Sequence, residues 1–323
     1  KILSMKKIIY MYICLVLFSC GEMETVVNLE IPPHESVLVL NANFNTDNNV
    51  QLSVSNSVGA FDNSAPIFLT DAEVLLYKEN EQIDALTPDL INPTYVYYRM
   101  NDYGSDSVLM YYYKSNITPQ PNSNYKIVVN HPNYNSIQAE TFIPDSLNIY
   151  NVEVDTTSNE NIIGLRFSFD DAPSQQNYYR LKLFSSCTKS WVNEYGDYDE
   201  WDFSGYTEFV SNDPSFPAGI PFNGYTFEGN NVIFTDALFN GQKKTIELDV
   251  ITEEIKYADC DTVIIEFSIF SDDTYSYYSS LDDHREKGEL NIFGGEVVPV
   301  YSNVENGLGV FISSNSQKIR LKP

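Results

Sequence analysis

Apolar and polar residues alternate with a period of two along most of the chain. The stretches at 37–40 (Val-Leu-Val-Leu), 51–55 (Gln-Leu-Ser-Val-Ser) and 72–77 (Ala-Glu-Val-Leu-Leu-Tyr) are β-branched or alternating. That period puts every second side chain on one face, as a half-buried strand requires. Aromatic runs at 95–100 and 108–113 flank Asn101-Asp102-Tyr103-Gly104, a turn signal between two strands. A further strand is predicted at 125–129, and the run through Phe142 and Ile143 stops at Pro144. Spacings of this kind predict an all-β sandwich over 36–145.

A boundary falls at Asp145-Ser146. Beyond it, alternation returns at 149–154, 162–170 and 178–184, then at 231–234, 244–252 and 263–270, with final strands at 297–301 and 309–313. These predict a second, larger β-sandwich-type domain over 146–323. Residues 187–231 interrupt the pattern. They hold few aliphatics and many Gly, Asp, Asn, Pro and aromatic residues, and read as a long aromatic loop with room for a hairpin. One short helix is predicted after Phe270. Ser271 would cap it, Asp272 and Asp273 would face the helix dipole, Tyr275, Tyr278 and Leu281 recur three apart, and Gly288 would close it.

The first residues follow another pattern. Met5-Lys6-Lys7 leads into an apolar run over 8–18 that ends in Leu17-Phe18-Ser19-Cys20. A membrane-spanning helix needs about 20 apolar residues, so the run fits a signal segment better. A secretory signal cut elsewhere is disfavoured by the bulk of Leu17 and Phe18. The Ser-Cys ending has the shape of a bacterial lipoprotein signal, cut before Cys20, with lipid added to that cysteine. The expected organisation is a signal over 1–19, with Lys1 to Ser4 upstream of the first plausible start at Met5. A lipidated tether follows over 20–35, and Pro32-Pro33 stiffen its end. Such a tether reaches roughly 50 Å when fully extended.

Charge narrows the partners. Without Lys1, Lys6 and Lys7, the remainder carries 16 Lys+Arg against 45 Asp+Glu, and the formal charge moves from −26 to −29. A phosphate backbone is neutralised by clustered Lys and Arg, so nucleic acid is excluded as a partner. Anionic lipid would be repelled as well, which leaves the N-terminal lipid as the membrane contact. With 43% hydrophobic and 14% aromatic residues the chain is too apolar for disorder, and its abundance of Tyr, Asn, Ser and Thr favours strands and turns.

Chemistry-bearing motifs are sparse. Cys187 and Cys260 remain once Cys14 leaves with the signal and Cys20 takes lipid; they form a candidate disulfide, or two buried thiols. A bridge would pin the start of the aromatic run to the strand before the helix. His34, His131 and His284 have no metal-ligand spacing, no Gly-x-Ser-x-Gly elbow occurs, and no cofactor motif is found. The most suggestive stretch is acidic and aromatic. Trp191, Tyr195, Tyr198, Trp201, Phe203 and Tyr206 are interleaved with Glu194, Asp197, Asp199, Glu200 and Asp202. Three readings fit: aromatics folded back on the sandwich, a surface for a sugar, peptide or partner, or an oxygen-rich calcium site.

Asp71-Ala72-Glu73-Val74, the 125–129 strand and the segment Ala139-Glu140-Thr141-Phe142-Ile143-Pro144 together resemble a small immunoglobulin-like module of the transthyretin or carboxypeptidase-regulatory kind. A sharper resemblance lies near the C-terminus. Ser268-Ile269-Phe270-Ser271 leads to Tyr275-Ser276-Tyr277-Tyr278. Then follows Tyr301-Ser302-Asn303-Val304-Glu305-Asn306-Gly307-Leu308-Gly309-Val310-Phe311. With the lipoprotein signal, these resemble the Bacteroidota outer-membrane lipoproteins grouped as domain of unknown function 4249.

That resemblance implies a location and a partner, and no catalytic residue. Such proteins are typically encoded beside TonB-dependent outer-membrane receptors. By analogy with SusD-type lipoproteins they are companions of those β-barrels in nutrient capture. The expectation is a lipid-anchored outer-membrane docking protein, on the cell surface or on the periplasmic face, with Glu22 and Glu24 pointing to the surface. The alternatives are a surface glycan- or peptide-degrading hydrolase and a structural envelope-assembly lipoprotein. Within the motif, Tyr301, Asn303, Asn306, Gly307 and Gly309 read as a shaped loop between the last two strands, or as a partner-facing loop.

Overall fold

A computed structural model describes residues 34–322, except 60–61, 63, 102–103, 174, 219–223, 254–259, 261 and 289–295. The signal segment, Cys20 and most of the expected tether lie outside the described residues.

The period-two pattern becomes strands. The first half supplies β1 (Leu38–Asn45), β2 (Gln51–Asn56), β3 (Glu73–Lys78), β4 (Glu81–Pro88), β5 (Thr94–Asn101), β6 (Gly104–Met110), β7 (Tyr113–Lys114), β8 (Ser123–His131) and β9 (Tyr134–Ile143). The second supplies β10 (Ile149–Thr156), β11 (Ile162–Asp170), β12 (Tyr178–Val192), β13 (Tyr198–Tyr206), β14 (Phe209–Ser211), β15 (Phe227–Gly229) and β16 (Asn231–Thr235). Then come β17 (Lys243–Ile251), β18 (Val263–Phe270), the helix α1 (Asp272–Gly288) and β19 (Leu308–Leu321).

Among the described residues the all-β fold is built from three sheets. The largest has the order β13-β12-β18-β19-β1-β2-β7-β4-β3-β8-β9, with β16 also paired to β12. A five-stranded sheet runs β10-β11-β17-β14-β15, and β5-β6 form a separate ribbon. Alternation decides what each strand buries. On β8, Tyr125, Ile127 and Val129 point inward, and the residues between them do not.

Two cores result. The first gathers Leu38, Leu40, Leu52, Val54, Leu76 and Ile127, and it is completed from the far end of the chain by Val304 and Phe311. Phe311 meets Phe44 edge to face, with ring centroids 4.6 Å apart. The second core lies between the five-stranded sheet and the β12-β18 part of the large one. Phe267 is its centre, with Phe169 at 4.8 Å, Phe167 at 5.5 Å and Tyr179 at 5.6 Å between ring centroids. Each fully buried ring contributes on the order of 2–3 kcal/mol by leaving water. β19 belongs to both cores: Phe311 sits in the first, while Ile319 and Leu321 pack against the second. Residues 36–323 accordingly form one compact unit.

The helix forms where its cap predicts. The Ser271 hydroxyl accepts from the Thr274 N–H at 3.2 Å. Thr274 Oγ1 then donates to the Ser313 carbonyl at 2.6 Å and accepts from its N–H at 2.9 Å, which fastens the first turn to β19.

Two stretches differ from the sequence-based expectation. Over 187–206 the chain is largely strand: β12 runs on to Val192, and β13 returns beside it. Thr, Trp, Val and Tyr favour strands here, but much of the pair faces no core, so aliphatic residues are scarce and the pattern is hidden. The turn residues gather at the tip, where Gly196 has φ +87°. Residues 297–301 form no strand. They lie along α1, where the Val298 carbonyl bonds to His284 Nδ1 (2.6 Å) and the Tyr301 N–H to Ser280 Oγ (2.8 Å), so side chains satisfy the groups a neighbouring strand would have taken.

The parallel pairing of β1 with β19 depends on Gly309. Its φ is +98°, and a Cβ placed there would lie 2.0 Å from the Leu40 carbonyl oxygen. Gly309→Ala should cost about 3 kcal/mol or more, because strain and a backbone clash add. Gly196→Ala has open space around it and should cost only about 1 kcal/mol. Urea unfolding of the two variants checks the contrast.

Candidate functional site

The β12-β13 hairpin carries the acidic aromatic stretch. Its register is uninterrupted from Phe184↔Tyr206 to Val192↔Tyr198. Asn193 builds the turn: its Oδ1 accepts from the Tyr195 and Asp197 N–H groups, both at 3.0 Å.

Alternation divides the six aromatics. Trp201 and Phe203 share a face with their cross-strand neighbours Lys189 and Cys187, and Trp191 lies on it too, opposite Asp199. That face continues the one with which Leu181 and Leu183 line the second core. Phe203 packs against the core and lies 5.9 Å from Trp201, centroid to centroid. Tyr198 and Tyr206 occupy the opposite face, with Glu200 and Asp202 between them, and Tyr195 sits in the turn. The structure therefore brings together Trp191, Trp201 and Phe203, and separates Tyr198, Tyr206 and Tyr195 from them. Tyr195 is 83% exposed and Tyr198 80%, against 47% for Trp191 and 45% for Trp201. Lys182 Nζ lies 5.1 Å from the Tyr206 ring centroid, a cation–π contact at the base of the hairpin.

Cys187 and Cys260 are joined, with Cα atoms 5.8 Å apart. The bridge ties the root of the hairpin to the segment before β18. Registers then place the hairpin in the molecule. Val39 pairs with Leu308, Leu321 with Val263, and Ile264 with Phe184, so the line runs from the start of β1 down β19 and out along β12. The tip lies at the opposite end from Ser36; the registers set Val192 roughly 65 Å along the strands from Val39, less what twist removes.

The motif loop at 301–309 has a different setting. Asn303 Nδ2 donates to the Glu140 carbonyl (2.9 Å) and the Phe311 carbonyl (2.8 Å), and its Oδ1 accepts from the Phe311 N–H (2.9 Å). Glu305 exchanges backbone bonds with Gln138 on the outer edge of β9. Asn306 takes φ +60°. Gly307 lies so close to Ile137 and the Leu38 carbonyl that a Cβ would stand 2.7 Å from each. Tyr301 donates to Asp273 Oδ1 at 2.6 Å. These residues close a strand edge and bind α1 to it.

Two surfaces have no counterpart in the sequence reading. The β5-β6 ribbon exposes Tyr95, Tyr97 and Leu109, because it leaves the main sheets after β4 and has no core to cover. Its aromatic run was the available signal, but runs of this kind usually mark burial. A polar groove of about 650 Å³ lies on the outer face of the five-stranded sheet, lined by Arg166, Asp213, Tyr225, Lys244, Glu247 and Asp249 among others. Several of its charges are paired: Lys244 with Asp213 at 2.7 Å, Arg166 with Glu247 at 3.7 Å, and the Tyr225 hydroxyl with Asp249. Among the described residues no group of three or more His, Cys, Asp or Glu side chains is arranged to hold a metal ion, and no helix is long and apolar enough to cross a membrane.

Beneath the second sheet, Asp171 is buried with Tyr179, Asn177 and Asp236. Its oxygens accept from the Tyr179 hydroxyl, Asn177 Nδ2 (3.3 Å) and the Gly241 N–H (2.6 Å). Burial pushes its carboxyl above the usual range in spite of those donors. Burial first, and then donation to a carboxylate, also raises the hydroxyls of Tyr179 and Tyr301.

Opening the Cys187–Cys260 bridge should cost about 4 kcal/mol, because it closes a loop with a sequence separation of 73. Urea unfolding with and without reductant measures this. The two tyrosines predict an alkaline limit. Their folded pKa values lie above the unfolded ones, so their contribution is intact below about pH 10 and lost as pH rises beyond it. Tyr301→Phe should cost about 1–2 kcal/mol at neutral pH through the lost bond to Asp273. It should also flatten the alkaline fall by about 1.4 kcal/mol per pH unit, as unfolding across a pH series would show.

No curated protein matches the chain. A family model does, over residues 24–320, nearly the whole length. The chain belongs to the family described as Domain of unknown function (DUF4249).

Proposed function

We propose that this chain is a lipid-anchored docking protein of a Bacteroidota-type outer membrane, accessory to a TonB-dependent receptor in nutrient uptake. The observation that carries the reading is the placement of the aromatic hairpin. It presents Trp191, Trp201, Tyr195 and Tyr198 to solvent at the end of the unit opposite Ser36. A chain held by lipid at Cys20 would then be anchored near one end and display half-apolar, half-polar rings at the other. Exposed Tyr and Trp suit partner recognition, because each buries a large area at low entropy cost and keeps a polar tip. The Leu17-Phe18-Ser19-Cys20 signal and the pairing with β-barrel receptors implied by the family resemblance support the same reading, as does the acidic surface, which leaves lipid as the means of membrane attachment.

Affinity purification from the native membrane in gentle detergent should recover a large β-barrel partner in near-equal amount. Tyr198→Ala with Trp201→Ala should lower that recovery roughly tenfold or more while leaving thermal stability nearly unchanged. Cys20→Ala should move the protein out of the membrane fraction. Recovery of the wild-type protein alone would overturn the reading.

A further inference from the structure

The two ends of the large sheet are treated in opposite ways. At one end, the outward carbonyls of β9 are taken up in succession. Gln138 accepts from the Glu305 N–H (2.8 Å), Glu140 from Asn303 Nδ2 (2.9 Å), and Phe142 from Ser313 Oγ (2.7 Å). Just beyond the strand, Pro144 accepts from Asn315 Nδ2 (3.2 Å). At the other end β13 pairs with β12 and with nothing else among the described residues.

The open groups can be assigned. The Asn193 N–H donates to the Asp197 carbonyl, and the Thr207 N–H to the Leu183 carbonyl. The odd-numbered residues of β13 therefore face β12, since the register holds without a shift between these points. The N–H and C=O groups of Tyr198, Glu200, Asp202, Ser204 and Tyr206 point outward. The ends of the five-stranded sheet are blunted. β10 has a register break between Tyr150 and Glu153, with Asn151 at φ +51°, and its Ile149 N–H is held by Gln317 Oε1; β15 is three residues long. β13 is nine residues long and has no bulge. A long unbroken edge of this kind is a template for another strand, and proteins commonly cover it or place a charge or proline on it.

We infer that the outer edge of β13 is a strand-addition site for an extended, cationic segment of another polypeptide. Charge selects the occupant. An added strand would lay alternate side chains beside Tyr198, Glu200, Asp202, Ser204 and Tyr206, so Lys or Arg at the two central places would meet Glu200 and Asp202. Apolar residues at the ends would meet the tyrosines. A second copy of this chain is a poor fit. Pairing β13 with itself about Asp202 would set Asp202 against its own copy with Glu200 of each strand nearby, in a chain of formal charge −26. The site goes beyond the docking reading above and does not require a transporter.

The test uses the full chain and a synthetic peptide as long as the nine residues of β13, with Lys at the two places meeting Glu200 and Asp202 and Tyr or Val at the ends of that face. Fluorescence anisotropy should show saturable binding to the wild type. Methylating the peptide's alternate backbone nitrogens on the ladder side keeps its charge and removes its donors, and should weaken binding roughly tenfold or more. Ser204→Pro removes one outward N–H without touching the β12 ladder and should weaken binding similarly, while Ser204→Ala should not. Hydrogen exchange should slow at Tyr198, Glu200, Asp202, Ser204 and Tyr206 when peptide is present. Absence of saturable binding would overturn the proposal. So would equal binding of the methylated peptide, which marks simple charge attraction. A concentration-dependent dimer abolished by Ser204→Pro would overturn the choice of occupant.

Discussion

Everything in this fold depends on one strand lying beside another with no side chain between them at a single place. β19 runs parallel to β1, and at Gly309 its backbone comes so close to Leu40 that only hydrogen fits. From that contact β19 extends past both hydrophobic cores. Its first half delivers Phe311 to the first, and its last residues brace the second. Without the close approach, Val304 and Phe311 could not reach the interior formed by β1, β2, β3 and β8, and the two cores would have no common strand. The motif residues around Gly309 follow from the same constraint. Asn303 holds the incoming backbone at Phe311 with one side chain and reaches β9 with the same amide.

Electrostatics play a secondary part in stability. Arg166 sits between Glu153 and Glu247, and Lys318 beside Asp47, and these pairs are largely exposed. Exposed pairs of this type contribute about 0–1 kcal/mol each. The excess of carboxylates repels itself, so the cores must carry the fold. The acids instead give the surface a net negative field.

Local features were legible in the residues. Alternation located strands such as β8 and β11, and Ser271 with its following acids announced α1. Features made by distant parts of the chain were not legible. A parallel pair has no turn between its strands to mark it, so nothing near residue 38 points to residue 308. The hairpin at 187–206 was obscured because much of it faces solvent and lacks the aliphatics by which strands are recognised. At 297–301 the apolar character was genuine, but side chains of α1 took the backbone groups, which sequence alternation cannot show. The site was legible as a composition and not as a geometry. The six aromatics were visible, but their division between two faces and a turn depends on the register of β12 with β13. The asparagines and glycines of the motif announced a tight turn, without showing that they close the edge of β9.

The pairing of the first strand with the last also dictates an order of events. β1 leaves the ribosome, and any export channel, long before β19 is made. The first core lacks Val304 and Phe311 until then. The N-terminal half therefore cannot complete itself while the chain is still emerging. Contacts this remote are slow to form, because a loop of nearly the whole chain must close before they bring any gain. In the interval β1 offers Leu38, Leu40 and Phe44 on an unprotected edge. A protein built in this way has to be kept from aggregating until β19 arrives, and loss of β19 would disable the first core as much as the second.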